Sequence, residues 1–218
     1  STLVNDILDF SKIEQGNIEL ENRFFDLHSS LQRIGDGFKA IAGAKELDFD
    51  LKLEEIEHLT VNADETRLRQ VLMNLLGNAV KFTQKGYVGL SVEAVEFING
   101  KVKINIVVSD SGKGISQDNL DRIFDAFQQE DASISRQYGG TGLGLAISKQ
   151  LVNLMEGSIN VSSEIDSGSS FTFNVLLDES EQSIQVMPSV NIEGVHMLIV
   201  DDNRTNREVL RGQLEIWG

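Results

Sequence analysis

Asn74 and Asn78 lie four residues apart in RLRQVLMNLLGNAVKFT, and Lys81 follows three further on. At helical spacing the three share one face of a leucine-rich helix. An amide carbonyl suits a hard cation such as Mg²⁺, which keeps several waters and takes its remaining ligands from phosphates. A lysine one turn along can meet those phosphates as a point charge. A solvated polar stripe would give the same pattern, so these residues alone leave both readings open.

Two further stretches carry related chemistry. Asp110-Ser111-Gly112-Lys113-Gly114-Ile115 follows KVKINIVVS, which alternates like a strand. A carboxylate at a strand end can accept a hydrogen bond from an exocyclic amine such as adenine N6, and the glycines let backbone pass close to a flat ring. An acidic glycine-rich turn is the plainer alternative. The run Gly139-Gly140-Thr141-Gly142-Leu143-Gly144 opens a helical pattern. Free amides, a favourable dipole and no obstructing side chains suit such a helix start to an anion cradle; a flexible hinge is the plainer alternative. No Gly-Lys-Ser/Thr closes it and no strand precedes it, which disfavours a Walker loop and a dinucleotide fingerprint. Between these motifs, Phe124-Asp-Ala-Phe127 leads into the polar stretch Gln128–Tyr138. That arrangement suggests a hinged lid, with Arg136 placed to present a cation to a terminal phosphate. An ordinary surface loop is the competing reading.

The elements that must position these groups follow from periodicity. Helices are predicted from the N-terminus to about Gly16, over Leu27–Ala44, over Asp64–Phe82 and over about Thr141–Met155. Strands are predicted at Asp48–Leu53, Tyr87–Val95, Lys101–Ser109, Ser158–Ser163 and Ser170–Leu177. Helices and strands come in blocks without strict alternation, so an α+β two-layer sandwich is expected, with a mixed sheet and helices on one face.

The chain has 218 residues, 40% hydrophobic, enough for one good-sized core. It has no cysteine, and His28, His58 and His196 show no ligand spacing, which argues against disulfides and transition-metal sites. Nineteen basic against 34 acidic residues leave a net charge of −15. Such a surface repels nucleic acid and anionic membranes, so a phosphate ligand must be held by local features. No apolar run is long enough to span a membrane, and a cytoplasmic setting is expected.

Taken together, the motifs resemble the Bergerat-type ATP-binding sandwich, in the order of metal-binding amides, an adenine-reading Asp 32 residues on (110 − 78), then a phosphate cradle behind a lid. Their wording is similar to the histidine kinases over residues 1 to about 178: RLRQVLMNLLGNAVKFT resembles the N-box, DSGKGI and GGTGLGLAI the two glycine boxes, and FDAF the F-box. The resemblance implies ATP and Mg²⁺ as cofactors, with Asn78 as Mg²⁺ ligand, Asn74 as its nearby helper and Lys81 on the phosphates. It implies Asp110 on the adenine amine, Gly112 and Gly114 beside the base, and Phe82 and Ile115 against the purine. Arg136 and the backbone of Gly140, Thr141, Gly142, Leu143 and Gly144 would surround the phosphates. The gyrase-like branch would need a glutamate general base four residues before the metal-binding Asn; Asn74 cannot take a proton at neutral pH. Weak hydrolysis is therefore expected, with the γ-phosphate reserved for a protein nucleophile.

The resemblance places that nucleophile, a histidine, on a dimerisation hairpin. Residues 1–22 resemble the tail of its second helix, and no phosphoacceptor box is present; His28, in FDLHSSL, has the wrong neighbours. Residues 23–178 would form the catalytic domain, 179–195 a linker holding the only proline, Pro188, and 196–218 the start of a receiver domain. There HMLIVDDNRTNREVL resembles the first strand and helix of a receiver, which implies Asp201 and Asp202 as its acidic Mg²⁺ pair; an acidic turn is the plainer alternative. The parent reads as a homodimeric, membrane-anchored hybrid kinase, with the hairpin and a receiver domain or response regulator as partners. A nucleotide-dependent, pseudokinase-like module and a hydrolytic ATPase are the alternatives.

Overall fold

The computed structural model describes residues 2–16, 18–57, 59–127 and 142–179. In chain order the elements are α1 (Thr2–Glu14), β1 (Arg23–Asp26), α2 (Leu27–Gly43), β2 (Asp48–Lys52), a 3₁₀ turn at Glu54–Ile56, β3 (Thr60–Ala63), α3 (Glu65–Phe82), β4 (Tyr87–Ile98), β5 (Lys101–Asp110), α4 (Gln117–Leu120), α5 (Gly144–Leu154), β6 (Ser158–Glu164) and β7 (Gly168–Glu179). The strands form one sheet in the order β1-β3-β7-β5-β4-β2, with β6 also paired to β7. Only β2 and β4 pair in parallel; the other pairings are antiparallel. This is the expected mixed-sheet α+β sandwich.

Alternation along the strands creates the layers. On β5, Val102, Ile104, Ile106 and Val108 are buried, as are Phe171, Phe173, Val175 and Leu177 on β7. The residues between them, Lys103, Asn105, Thr172 and Asn174, are only partly covered. Helices α2, α3 and α5 cover the apolar face through Leu31, Ile34 and Phe38, through Leu68, Leu72, Leu75 and Leu76, and through Ile147, Leu151 and Val152. Phe173, fully buried, sits in the core they share.

The long helix α3 begins where its sequence says it should. Asp64, 5% exposed, accepts the Arg67 N–H at 3.0 Å as the N-cap and also accepts the Glu21 N–H at 3.0 Å. Its carboxylate thus starts the helix and pins the segment entering β1. Asp64→Ala is expected to lower unfolding free energy by about 1–2 kcal/mol, the usual loss for an N-cap, seen as an earlier urea midpoint with unchanged slope. At the other end, the Thr83 hydroxyl donates to Ala79 O at 2.7 Å and the chain turns away from the helix.

α1 rests on this core. Ile13 is buried, and the Asp9 carboxylate accepts from Gln70 Nε2 at 2.9 Å and from Arg67 Nη1 at 3.4 Å. Phe10 meets Phe127 edge to face, ring centroids 6.0 Å apart. Ile7 and Leu8 are 47% and 53% exposed.

The structure amends the sequence expectations in detail. β1 and β3 were not foreseen, because four residues offer too few positions for alternation to register. β4 runs on to Ile98 because Asn99 and Gly100, with φ of 51° and 78°, close a tight hairpin to β5. The helix expected from about Thr141 is described from Gly144.

Candidate nucleotide-binding site

Asp110 ends β5 on the same row as Ile104, Ile106 and Val108, so its side chain faces the helical layer. It is 8% exposed. The Gly112 N–H donates to Oδ1 at 2.8 Å and the Ser169 N–H donates as well. Burial nevertheless pushes its pKa above the ordinary carboxylate value, outweighing both donors. A desolvated carboxylate with spare lone pairs is well suited to a ligand N–H.

The end of α3 brings the first glycine box beside the N-box. A Cβ at Gly112 would lie 2.6 Å from Phe82 O and 2.8 Å from Asp110 Oδ1, so only glycine lets the loop cross there. Gly114 is buried with φ +68°, and a Cβ would collide with Glu164 O on β6. Close approach to the protein's own backbone therefore requires these glycines before any ligand is considered. The next residue, Ile115, gives its N–H to Ser163 Oγ at 2.8 Å and packs partly against the core.

Two ammonium groups approach the Phe82 ring: Lys81 Nζ is 4.9 Å and Lys113 Nζ 5.3 Å from its centroid. Burial lowers the Lys81 pKa from its ordinary value. Lys113, inside the first glycine box DSGKGI, is not among the residues that the motifs single out, yet it stands beside the Phe82 ring. In this acidic chain, the two lysines give the site a local positive corner.

The two asparagines differ. Asn78 is half-buried, and its side chain makes no hydrogen bond among the described residues. Asn74 donates from Nδ2 to Ser148 Oγ on α5 at 2.9 Å. The N-box is thereby joined to α5, one residue past the second glycine box. The α5 N-cap is Leu143, fully buried, whose side chain offers no acceptor for the first-turn amides. Gly142 precedes it with φ +68°, and its carbonyl accepts the Phe127 N–H at 3.0 Å. The end of the F-box is thus tied to the start of α5. Arg136, Gly140, Thr141, Asp201, Asp202, His58, His196 and residues 180–195 of the expected linker lie outside the described residues, whereas Glu179 still belongs to β7. His28 sits in the first turn of α2, lining a separate groove of about 540 Å³ beside β2.

The donor set fits nucleotide with Mg²⁺. Among the described residues, no group of three or more His, Cys, Asp or Glu side chains is placed to hold a metal. A divalent ion beside the Asn78 amide would need phosphate oxygens as co-ligands.

A mixed sheet covered on its apolar face by helices is the architecture of the ATP-binding sandwiches. Residues 63–179, just over half the chain, match the family described as "Histidine kinase-, DNA gyrase B-, and HSP90-like ATPase", and the protein belongs to it. It is similar to the autoinducer 2 sensor kinase/phosphatase LuxQ of Vibrio vulnificus, with 37% identity over 216 residues, covering 96% of this chain and 25% of the relative. Identity to the signal transduction histidine-protein kinase BarA of Escherichia coli K12 is 40% over 202 residues, 92% of this chain and 22% of the relative. The chain spans about a quarter of the length of these relatives. Among solved structures, full-length ShkA in complex with AMPPNP superposes with a TM-score of 0.70 at 32% identity, covering 100% of this chain and 43% of that one. The histidine kinase AdeS of Acinetobacter baumannii superposes with a TM-score of 0.59 at 26% identity, covering 79% and 75%.

Proposed function

We propose that this chain is the phosphate-donating part of a hybrid sensor histidine kinase, binding ATP with Mg²⁺ and passing the γ-phosphate to a histidine on a dimerisation hairpin. The bond from the γ-phosphorus to the bridging oxygen breaks, ADP leaves, and a nitrogen–phosphorus bond forms on the imidazole. From there the phosphate would go to a receiver aspartate. The observation that carries the reading is the buried Asp110 carboxylate, facing the helical layer beside the Lys81–Phe82–Lys113 corner.

In this reading Asp110 accepts the adenine amine, Phe82 and Ile115 border the base, and Gly112 and Gly114 let the loop lie flat beside it. Asn78 supplies the amide oxygen for Mg²⁺, and Lys81 offsets phosphate charge. The backbone from Gly140 to Gly144 cradles the phosphates, and Arg136 reaches the terminal one. Asn74 stands where a hydrolytic relative would carry a base, so water is left unactivated. Residues 1–22 continue a hairpin, and residues 196–218, with Asp201 and Asp202, begin a receiver. No described helix is long and apolar enough to cross a membrane. A membrane-anchored, homodimeric parent and a cytoplasmic setting for this part belong to the same proposal.

Calorimetric titration with MgATP tests the reading. Binding should weaken about tenfold or more in Asn78→Ala, the loss expected for one charge-assisted contact. Adding a separate hairpin protein that bears the histidine should move labelled phosphate onto it. Binding without transfer would favour a regulatory module, whereas release of free phosphate at about one per second would favour a hydrolytic ATPase.

A further inference from the structure

Asn74 is not arranged like Asn78. Its Nδ2 donates to Ser148 Oγ at 2.9 Å, and Ser148 is 1% exposed, enclosed between α3 and α5. A Cβ at Gly144 would run into Asn74 Oδ1 and lie 2.9 Å from its Cγ. Gly144 and Ser148 are four residues apart on α5, so both face α3, one turn apart. One amide therefore grips the first turn of α5 at two points, through a hydrogen bond and through a close backbone approach. That turn follows directly from Gly142 and Leu143, whose backbone enters the helix without a side-chain cap.

We propose that Asn74 and Ser148 form a latch that sets the position of the α5 N-terminus, making both of them positioning residues for phosphate binding. This assigns Ser148 a role and places Asn74 outside the metal's ligand set. The inference rests on the nucleotide site proposed above. Anion binding at a helix start depends on where its amides point. A shifted first turn misdirects them while leaving the adenine end, held by Asp110, unaffected.

A double-mutant cycle on this chain is the test, with Ser148→Ala, Asn74→Ala and the pair. Each single variant should weaken MgATP binding about threefold to tenfold, the yield of one hydrogen bond. The pair should do no worse than the weaker-binding single variant, because both remove the same contact. Adenosine affinity and the Mg²⁺ concentration for half-maximal binding should stay at parental values in all three. MgATP binding at full strength in Ser148→Ala would overturn the latch. A raised Mg²⁺ requirement in Asn74→Ala alone would return Asn74 to the metal. Equal losses for adenosine and MgATP would indicate general loosening and also overturn it.

Amide hydrogen exchange without nucleotide separates this idea from the site itself. Both single variants should exchange faster at residues 142–148, with the β5–β7 amides unchanged. Parental exchange there rejects the latch even if the parent binds no ATP. Faster exchange combined with no ATP binding by the parent would reject the nucleotide site and the phosphate role together.

Discussion

Asp110→Asn is expected to weaken MgATP binding roughly tenfold to a hundredfold while making the unliganded protein more stable at neutral pH. The affinity loss follows from replacing a charged acceptor by a neutral amide whose NH₂ opposes the ligand's own donor. Hydrogen bonds to charged groups contribute about 1.5–3 kcal/mol. The stability gain follows from the raised pKa. The folded protein holds the Asp110 proton to a higher pH than the unfolded chain does, because burial disfavours the carboxylate more than the Gly112 and Ser169 N–H groups favour it. Its contribution to folding is fully present below the unfolded value, near 3.8, and is lost as pH rises through the folded pKa. The asparagine variant has no such loss. Its advantage in urea unfolding should therefore be small at pH 4 and larger at pH 7. An advantage independent of pH would contradict the burial account, and a variant that binds MgATP normally would remove Asp110 from the adenine contact. A group kept for binding at the expense of stability is a common arrangement in functional sites.

Gly114→Ala should be among the most damaging single substitutions in the described structure. At φ +68° a side chain enters the left-handed region, which costs about 1–2 kcal/mol. The added methyl would also run into Glu164 O, a backbone atom in the pair joining β6 to β7. The neighbouring contacts leave it little room: Asp166 gives its N–H to Lys113 O at 2.8 Å, and Ile115 is held by Ser163. With the overpacking penalty included, a loss of about 2–5 kcal/mol is expected, a large fraction of a domain's stability. Gly37→Ala is the matched control. Gly37 lies mid-helix in α2 with nothing within 4 Å of an added Cβ, so that change should stabilise by about 0.5–1 kcal/mol. Urea midpoints of the two variants should move in opposite directions. An equally tolerated Gly114→Ala would mean that the loop is free to shift.

Both positions are readable in the chain. Asp110 could be picked out as a carboxylate at the end of an alternating run, and Gly114 as part of a glycine pair. Long periodic elements were legible for the same reason: α3 was expected at Asp64–Phe82 and found at Glu65–Phe82, with Asp64 as its cap. Short elements were not, since β1 and β3 are defined by their partners across the sheet.

The sequence by itself determined the layers, the family resemblance and the residue types available for phosphate, base and metal, because these depend on local periodicity and motif spacing. How those residues are arranged depends on long-range packing. Asn74 and Asn78 are chemically identical and share a helical face, yet packing against Ser148 and Gly144 engages one amide and leaves the other available to a ligand. Lys113 reaches the Phe82 ring because Gly112 lets its loop cross the end of α3. The burial that raises the Asp110 pKa comes from a sheet and helices contributed by distant stretches of chain. Spacing along one element records none of these long-range contacts.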